Sequence, residues 1–286
     1  MLAWLVPGLL GCAPPRPDRP VIGAKNFTEQ VVLGELLAQH IEARTGLKVE
    51  RRFYLAGSYI CQQALIAGRI DGYVEYTGTA LTAILKQPMD KDRARVLETV
   101  QRLYRERYGI DVGPSLGFEN TFAMIVRGDE AARLHVGTLS QASAVAPAWK
   151  LGVGYEFEER PDGLRGLEQA YGLKFKGPPR TMDLGLLYRA IQQHQVDIIA
   201  GNSTDGPIQP LHLTVLADDR HYFPPYDAVP LFREDAYRRW PQMRAAVAEL
   251  AGKIDAQEMQ AMNEAVDGEH RDPAQVVREF RARKGL

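Results

Sequence analysis

ALIAGRIDGYVEYTGT, residues 64–79, has a similar counterpart later in the chain, AIQQHQVDIIAGNSTDG, residues 190–206. Each stretch begins with apolar residues at helical spacing, passes an Ile/Val-Asp pair, and runs through a short apolar segment into a polar turn. Such a pattern predicts a crossover helix followed by a buried strand of a parallel sheet. The repeat therefore predicts two α/β lobes that face each other across one cleft, with chance similarity between two such units as the alternative.

The two copies also predict where a ligand would bind. Tyr76 and Asn202 hold equivalent places, each five residues after its Asp, at the carboxyl end of the predicted strand. Ligands of open α/β sheets bind beyond the carboxyl ends of the strands. We therefore expect both side chains to line the cleft.

Composition bounds the class of protein. The chain has 286 residues, of which 45% are hydrophobic and 25% charged, and its net charge is -1. It is long enough to build two cored lobes. Because there is no basic excess and no long basic run, nucleic acid is excluded as an expected partner.

Sequence signatures of catalysis or metal binding do not appear. The six histidines are scattered, with neither Cys/His nor His-x-x-x-His spacing, so no metal site is predicted. There is no Gly-x-Ser-x-Gly elbow and no phosphate-binding Gly-x-x-x-x-Gly-Lys loop. We predict neither an enzyme nor a cofactor.

The N-terminal segment predicts a membrane anchor. Cys12 follows Leu9, Leu10 and Gly11 at the end of an apolar run, which resembles the site at which bacterial lipoproteins are cleaved and acylated on cysteine. We interpret residues 1–12 as a lipoprotein signal segment that is shorter than usual and lacks a basic start. The alternatives are a natural start further upstream, or an apolar N-terminus with a chance cysteine.

The predicted domain organisation follows from these segments. Residues 13–20 contain four prolines, which predicts an extended tether of roughly 25 Å at about 3.1 Å per residue. We assign residues 21–126 and 220–286 to lobe one, and residues 127–219 to lobe two. In this division the predicted strand from Leu116 to Val126 ends lobe one, and the chain crosses between the lobes twice.

With these segments in place, the chain resembles the substrate-binding proteins of ABC importers for osmoprotectants, which take up glycine betaine, choline, carnitine and related quaternary amines. The resemblance rests on motifs that occur in family order: residues 23–30 (GAKNFTEQ), 75–80 (EYTGTA), 116–123 (LGFENTFA), 160–163 (RPDG), 202–206 (NSTDG) and 224–228 (PPYDA). It implies the type II periplasmic binding protein fold, in which two α/β lobes close on the ligand about a hinge.

The resemblance also implies a binding site. In the family, aromatic rings surround the quaternary ammonium, because a cation without N–H donors is recognised by π-faces and oxygen atoms. Carried over to this chain, Tyr76 and Tyr226 match ring positions, and Phe122 falls where the family often has tyrosine. The positions that bind the ligand carboxylate in betaine-binding relatives correspond to Lys25, Thr79 and Arg160, and a cation beside a carboxylate makes a strong charge-assisted bond.

One position departs from the family pattern. Asn202 stands where several relatives have a tyrosine of the aromatic cage, and an amide has no π-face. We therefore expect weak affinity for glycine betaine, or a preference for a larger trimethylammonium compound such as carnitine or ergothioneine. Lobe one should supply Lys25, Tyr76, Thr79 and Tyr226, and lobe two Arg160 and Asn202.

The resemblance implies partners and a location as well: a quaternary amine ligand, the transmembrane permease of an ABC importer, and the membrane through a lipid at Cys12. We expect a monomer in the periplasm or at the cell surface. Two alternatives remain: the same fold with another ligand, such as ergothioneine, another sulfur-containing betaine or an amino acid, or an enzyme on the bilobal fold. The last would need a nucleophile or cofactor-bearing residue in the cleft, and none stands out.

Overall fold

Ten strands and thirteen α-helices make up the chain in the computed structural model, which describes residues 17–286. The strands are β1 (Val21–Gly23), β2 (Glu50–Arg52), β3 (Gly72–Tyr76), β4 (Ile110–Val112), β5 (Phe122–Arg127), β6 (Leu151–Val153), β7 (Arg180–Thr181), β8 (Ile198–Asn202), β9 (Leu213–Val215) and β10 (Ala228–Arg233). The helices are α1 (Thr28–Thr45), α2 (Ser58–Ile66), α3 (Thr77–Thr79), α4 (Arg93–Tyr108), α5 (Gly128–Leu134), α6 (Leu139–Val145), α7 (Tyr155–Glu159), α8 (Leu164–Tyr171), α9 (Leu184–Gln192), α10 (Glu234–Arg239), α11 (Gln242–Ala248), α12 (Ala256–Asp267) and α13 (Pro273–Lys284).

Two five-stranded sheets of the same topology form the two lobes. The first has the order β2-β1-β3-β10-β4, and the second has the order β7-β6-β8-β5-β9. In the first, β1 runs parallel to β3 while β10 is antiparallel to it; in the second, β6 runs parallel to β8 while β5 is antiparallel to it. The expected fold class, two α/β lobes, is confirmed.

The repeated sequence forms the central strand of each sheet. Each copy contributes the end of a helix, α2 or α9, and then the strand, β3 or β8. Tyr76 and Asn202 are the last residues of these two strands. The equivalence read from the sequence is therefore an equivalence of position in the two sheets.

The chain crosses between the sheets earlier than residue 126. Residues 122–127 form β5, which pairs with β8 in register from Phe122 opposite Asn202 to Val126 opposite Ile198. The sequence assignment of this strand to lobe one is therefore wrong. The sequence of an apolar strand does not show which sheet the strand joins, because that depends on long-range backbone pairing. The return crossing also lies later than residue 220, since Tyr222 packs in the core of the second lobe.

The two crossing segments lie side by side and form the hinge. The Asn120 N–H donates to the Tyr226 carbonyl at 3.0 Å, and the Ala228 N–H donates to the Phe118 carbonyl at 3.1 Å. An isolated antiparallel bridge joins Glu119 to Asp227 between these bonds. The hinge is thus a short two-stranded ladder, and any change in the angle between the lobes bends both strands together.

The helix α1 carries the core of the first lobe. Its residues from Glu29 to Ile41 are all buried, because it lies between the sheet and the C-terminal helices α11, α12 and α13. Within residues 17–286, no helix combines the length and the apolar character that a membrane span requires. Cys12, the predicted signal segment and residues 13–16 of the predicted tether lie outside the described residues.

The loop after β8 joins the second lobe to α12 of the first. A Cβ atom added to Gly206 would lie 2.6 Å from the Glu264 backbone nitrogen and 2.7 Å from the Asn263 carbonyl carbon. Only glycine allows two backbones to approach this closely without a shift of one of them. This contact fixes the second lobe against the C-terminal helices.

We expect Gly206→Ala to destabilise the protein by about 1 to 3 kcal/mol, because the added methyl group must push the loop away from α12. Urea unfolding measures the change. The control is Gly185→Ala in α9, where an added Cβ meets no heavy atom within 4 Å, so stability should stay the same or rise slightly. Equal stabilities of the two variants would contradict the tight contact.

Candidate functional site

A cavity of about 280 Å³ lies between the lobes. All seven residues nominated from the sequence line it. Further lining residues come from the loop after β2, the start of α2, α7 and the start of α9: among them are Ala56, Gly57, Ser58, Tyr59, Ile60, Gly154, Tyr155, Glu156, Phe157, Met182, Asp183 and Leu184. The structure thus brings the nominated side chains together at the carboxyl ends of β3 and β8.

Lys25 follows β1 and is almost fully buried, with 3% of its surface exposed. Its ammonium group forms an ion pair with Glu75, whose other oxygen accepts from the Tyr73 hydroxyl at 3.1 Å. The same ammonium lies 4.9 Å from the centroid of the Tyr76 ring. Because Glu75 is itself fully buried, this pair neutralises a charge that the interior could not otherwise hold.

Tyr76 is positioned by hydrogen bonds behind its ring. Its hydroxyl donates to Glu29 Oε1 at 2.5 Å and accepts from Gln30 Nε2 at 3.1 Å. Burial raises the pKa of the Tyr76 phenol, so it remains a neutral donor. The hydroxyl end is fully occupied by the protein, and the ring is the part available to the cavity.

The Glu29 carboxylate receives four hydrogen bonds from separate parts of the chain. Besides Tyr76, the donors are Asn120 Nδ2 at 2.9 Å, Asn263 Nδ2 at 3.0 Å and the Thr204 hydroxyl. Burial raises the pKa of Glu29, and the hydrogen bonds offset part of that rise. Glu29 lies within a motif quoted above, but its spacing in the sequence gave no sign that it joins the two lobes.

Arg160 reaches across the cleft from the loop after α7. Its Nε and Nη2 atoms donate to the two oxygens of Asp162 at 3.0 and 2.5 Å, and Nη1 donates to Thr79 Oγ1 at 3.0 Å. Thr79 belongs to the first lobe, so this bond joins the lobes. The guanidinium carbon lies 4.7 Å from the centroid of the Phe122 ring and 5.9 Å from that of Tyr226.

Three aromatic rings pack edge to face beside the guanidinium. Phe122 lies between Phe157 and Tyr226, with ring centroids 4.9 and 5.9 Å away, a geometry that aromatic pairs prefer. The Tyr226 hydroxyl donates to Asp162 Oδ2 at 2.5 Å, again from one lobe to the other. Asp162 therefore holds Arg160 and Tyr226 together, a role that the RPDG motif did not reveal in the sequence.

Asn202 is held by the Asp205 carboxylate. Its backbone N–H donates to Asp205 Oδ2 at 2.8 Å, and Nδ2 lies 3.2 Å from Oδ1. The Tyr188 hydroxyl donates to the same carboxylate at 2.6 Å. Burial raises the pKa of Asp205 to about 6. The second-lobe strand therefore presents a fixed amide to the cavity at the place where the first-lobe strand presents a ring.

Among residues 17–286 there is no cluster of three His, Cys, Asp or Glu side chains that could hold a metal ion. The two cations that line the cavity, Lys25 and Arg160, are engaged in the ion pairs described above. The arrangement is that of a ligand-binding cleft with cations, rings and hydroxyl groups on its walls.

Comparison with known proteins agrees with this architecture. The family model "Substrate binding domain of ABC-type glycine betaine transport system" matches residues 20–283. A carnitine transport binding protein of Listeria monocytogenes is 35% identical over 277 residues, covering 96% of this chain and 89% of the relative. An ergothioneine transport permease/ergothioneine binding protein of Helicobacter pylori is 30% identical over 267 residues, covering 93% of this chain and 48% of the relative.

A solved structure shows the same fold. The crystal structure of a glycine betaine/carnitine/choline ABC transporter is 32% identical in sequence and superposes with a TM-score of 0.77. The match covers 93% of this chain and 98% of the other.

We expect Asp205→Asn to change how stability depends on pH. Burial raises the pKa of Asp205 from 3.8 to about 6, so its contribution to stability is present below the unfolded pKa and is lost as pH rises through about 6. A pKa change of this size corresponds to a change on the order of 3 kcal/mol in the free energy of unfolding. The stability of the variant relative to the parent should rise by about that amount between about pH 4 and about pH 7, measured by urea unfolding.

The control for this prediction is Asp219→Asn. A hydrogen bond from Ser140 lowers the pKa of Asp219, so its contribution has the opposite sign and is lost as pH falls. The stability of this variant relative to the parent should fall as pH rises through the range below about 4, and it should not rise between about pH 4 and about pH 7. If the stability difference between Asp205→Asn and the parent does not change with pH, the pKa of Asp205 is not raised in the folded state.

Proposed function

The chain belongs to the family of substrate-binding domains of ABC-type glycine betaine transport systems, and on that premise we propose that its cleft captures a compound with a trimethylammonium group. The protein is thus an extracytoplasmic binding component of an importer, and it is not an enzyme. We propose that closure of the lobes on the ligand creates the form that an ABC permease accepts. Ligand bound to both lobes favours the closed state by its differential affinity for that state.

The observation that carries the proposal is the convergence of three rings on one cavity. Tyr76, Phe122 and Tyr226 all line it, and all three rings lie within cation–π distance of a cation of the protein, Lys25 or Arg160. We propose that the parts of these rings that line the cavity contact the trimethylammonium group of the ligand. Each desolvated contact of this kind contributes roughly 0.5 to 2 kcal/mol.

The opposite end of the ligand would meet Lys25, Thr79 and Arg160. A guanidinium has five N–H donors, of which Asp162 and Thr79 use three, and an ammonium has three, of which Glu75 uses one. Both cations therefore retain donors for a ligand carboxylate or hydroxyl group. Their internal acids fix the direction in which these remaining donors point.

Asn202 supports a preference within this ligand class. Its amide leaves the second-lobe side of the cavity without a ring at the strand end, so we propose weak affinity for glycine betaine and a preference for a larger trimethylammonium compound such as carnitine or ergothioneine. The names of the relatives from Listeria monocytogenes and Helicobacter pylori agree with this preference.

We also propose that a lipid on Cys12 anchors the protein at the outer surface of the cytoplasmic membrane, with residues 13–20 as its tether. The folded part would act as a monomer, because each site is formed by the two lobes of one chain. Metabolic labelling with a fatty acid, lost on Cys12→Ser, tests the anchor.

A panel of ligands tests the function. We expect carnitine, ergothioneine, choline and glycine betaine to include compounds that raise the melting temperature, because a ligand that binds only the native state stabilises it. Amino acids without a quaternary amine should give no shift in melting temperature.

Calorimetric titration should show that Asn202→Tyr binds glycine betaine more tightly than the parent chain does. Tight glycine betaine binding by the parent chain, with no gain in the variant, would contradict the role of Asn202.

We expect Arg160→Ala to weaken binding of a zwitterionic ligand about 10- to 150-fold, the range for a lost charge-assisted hydrogen bond. Choline has no carboxylate and should lose less. The control is Arg165→Ala, which removes an exposed arginine on α8 and should leave both affinities unchanged. If carnitine affinity survives Arg160→Ala, the assignment of the carboxylate end is wrong.

A further inference from the structure

The helix α2 of the first lobe begins without a capping side chain of its own. Its N-cap residue is Gly57, which has no side chain to accept from the first backbone N–H groups of the helix. These groups have no partner within a helix and require an acceptor from elsewhere. The acceptor here comes from the second lobe.

Glu156 of α7 occupies this helix start. The Ser58 N–H donates to Glu156 Oε1 at 2.5 Å, and the Ser58 hydroxyl donates to Oε2 at 3.1 Å. Ser58 is only 1% exposed, although it begins a helix at the mouth of the cleft, because the opposite lobe covers it. The partial positive charge at a helix start strengthens its attraction for a carboxylate.

Gly57 gives the carboxylate the space it needs. A Cβ atom at this position would lie 2.2 Å from Glu156 Oε1 and 2.9 Å from the carboxyl carbon, closer than non-bonded atoms approach. With any other residue at position 57, the Glu156 carboxylate would have to move away from the start of α2. Since Gly57 and Glu156 belong to different lobes, this restriction applies only while the lobes are together.

The same carboxylate stands close to the cation that reaches across the cleft. Glu156 Oε2 lies 3.8 Å from Arg160 Nη1, the atom that donates to Thr79. Glu156 of α7 and Arg160 just after it thus make two adjacent contacts with the first lobe, at Ser58 and at Thr79. Separation of the lobes would break both.

From these contacts we infer that Glu156 is a positioning residue for ligand capture: it holds the lobes together by capping α2 across the cleft. The inference rests on the proposed function for its effect on a ligand, but Glu156 acts on closure itself and needs no contact with the ligand. A carboxylate of the chain therefore adds to the free energy of closure that the bound ligand supplies.

The expected effect is that of losing a helix cap. Glu156→Ala should raise the dissociation constant for a bound quaternary amine about 2- to 30-fold, mainly through faster dissociation. Glu156→Gln keeps an oxygen that can accept from the Ser58 N–H and should recover most of the loss. The control is Glu158→Ala on the same helix, whose carboxylate accepts from Thr181 within the second lobe.

A double-mutant cycle separates this contact from a general effect on folding. Gly57→Ala should weaken binding in the parent chain, because its methyl group collides with the carboxylate in the closed form. In the Glu156→Ala background the collision is gone, so the same substitution should have little further effect. Additive losses, or no loss for Glu156→Ala alone, would overturn the inference.

The experiment uses the full chain with carnitine, ergothioneine, choline and glycine betaine as probes. Stopped-flow and calorimetric measurements follow binding, and small-angle scattering measures the radius of gyration of the ligand-free protein. A larger radius of gyration for Glu156→Ala than for the parent supports the cap. If none of the probes binds the parent chain, the proposed function fails. The radius of gyration alone then tests whether Glu156 holds the lobes together. Equal radii in that case overturn it.

Discussion

A single buried carboxylate connects the parts of this molecule that must act together. Glu29 accepts hydrogen bonds from the end of β3 through Tyr76, from the hinge through Asn120, from the second lobe through Thr204, and from α12 through Asn263. A carboxylate without these donors would be costly to bury. The four hydrogen bonds therefore hold these segments in fixed positions relative to one another, and the walls of the cleft depend on that arrangement.

The charges of the cleft follow the same logic. Lys25 and Arg160 are buried cations, and each has a buried acid of the chain as its partner, Glu75 or Asp162. Pairing keeps both cations charged in the interior and restricts the directions in which they can donate. The site is therefore prepared before a ligand enters, which reduces the ordering that binding requires.

The sequence predicted the two-lobed fold and the equivalence of Tyr76 and Asn202, because a repeated helix, strand and turn is a local pattern. The seven site residues predicted from the sequence also lie around one cavity. The sequence prediction placed the first crossing at residue 126, since Phe122–Arg127 looks like any apolar strand and its pairing with β8 is a long-range property. The roles of Glu29 and Glu156 were missed for the same reason, since their partners are distant in sequence. Asp162 pairs with the nearby Arg160, but its bond to Tyr226 is also a long-range contact.

The position of β10 has a consequence for how the chain acquires its structure. This strand lies between β3 and β4, which precede it by more than a hundred residues, and the C-terminal helices complete the packing around α1. The first lobe therefore lacks an interior strand until almost the whole chain has been synthesised, while the second lobe is continuous. Contacts of such high sequence separation form slowly. The first lobe should therefore become compact only after β10 has been synthesised, later than the continuous second lobe.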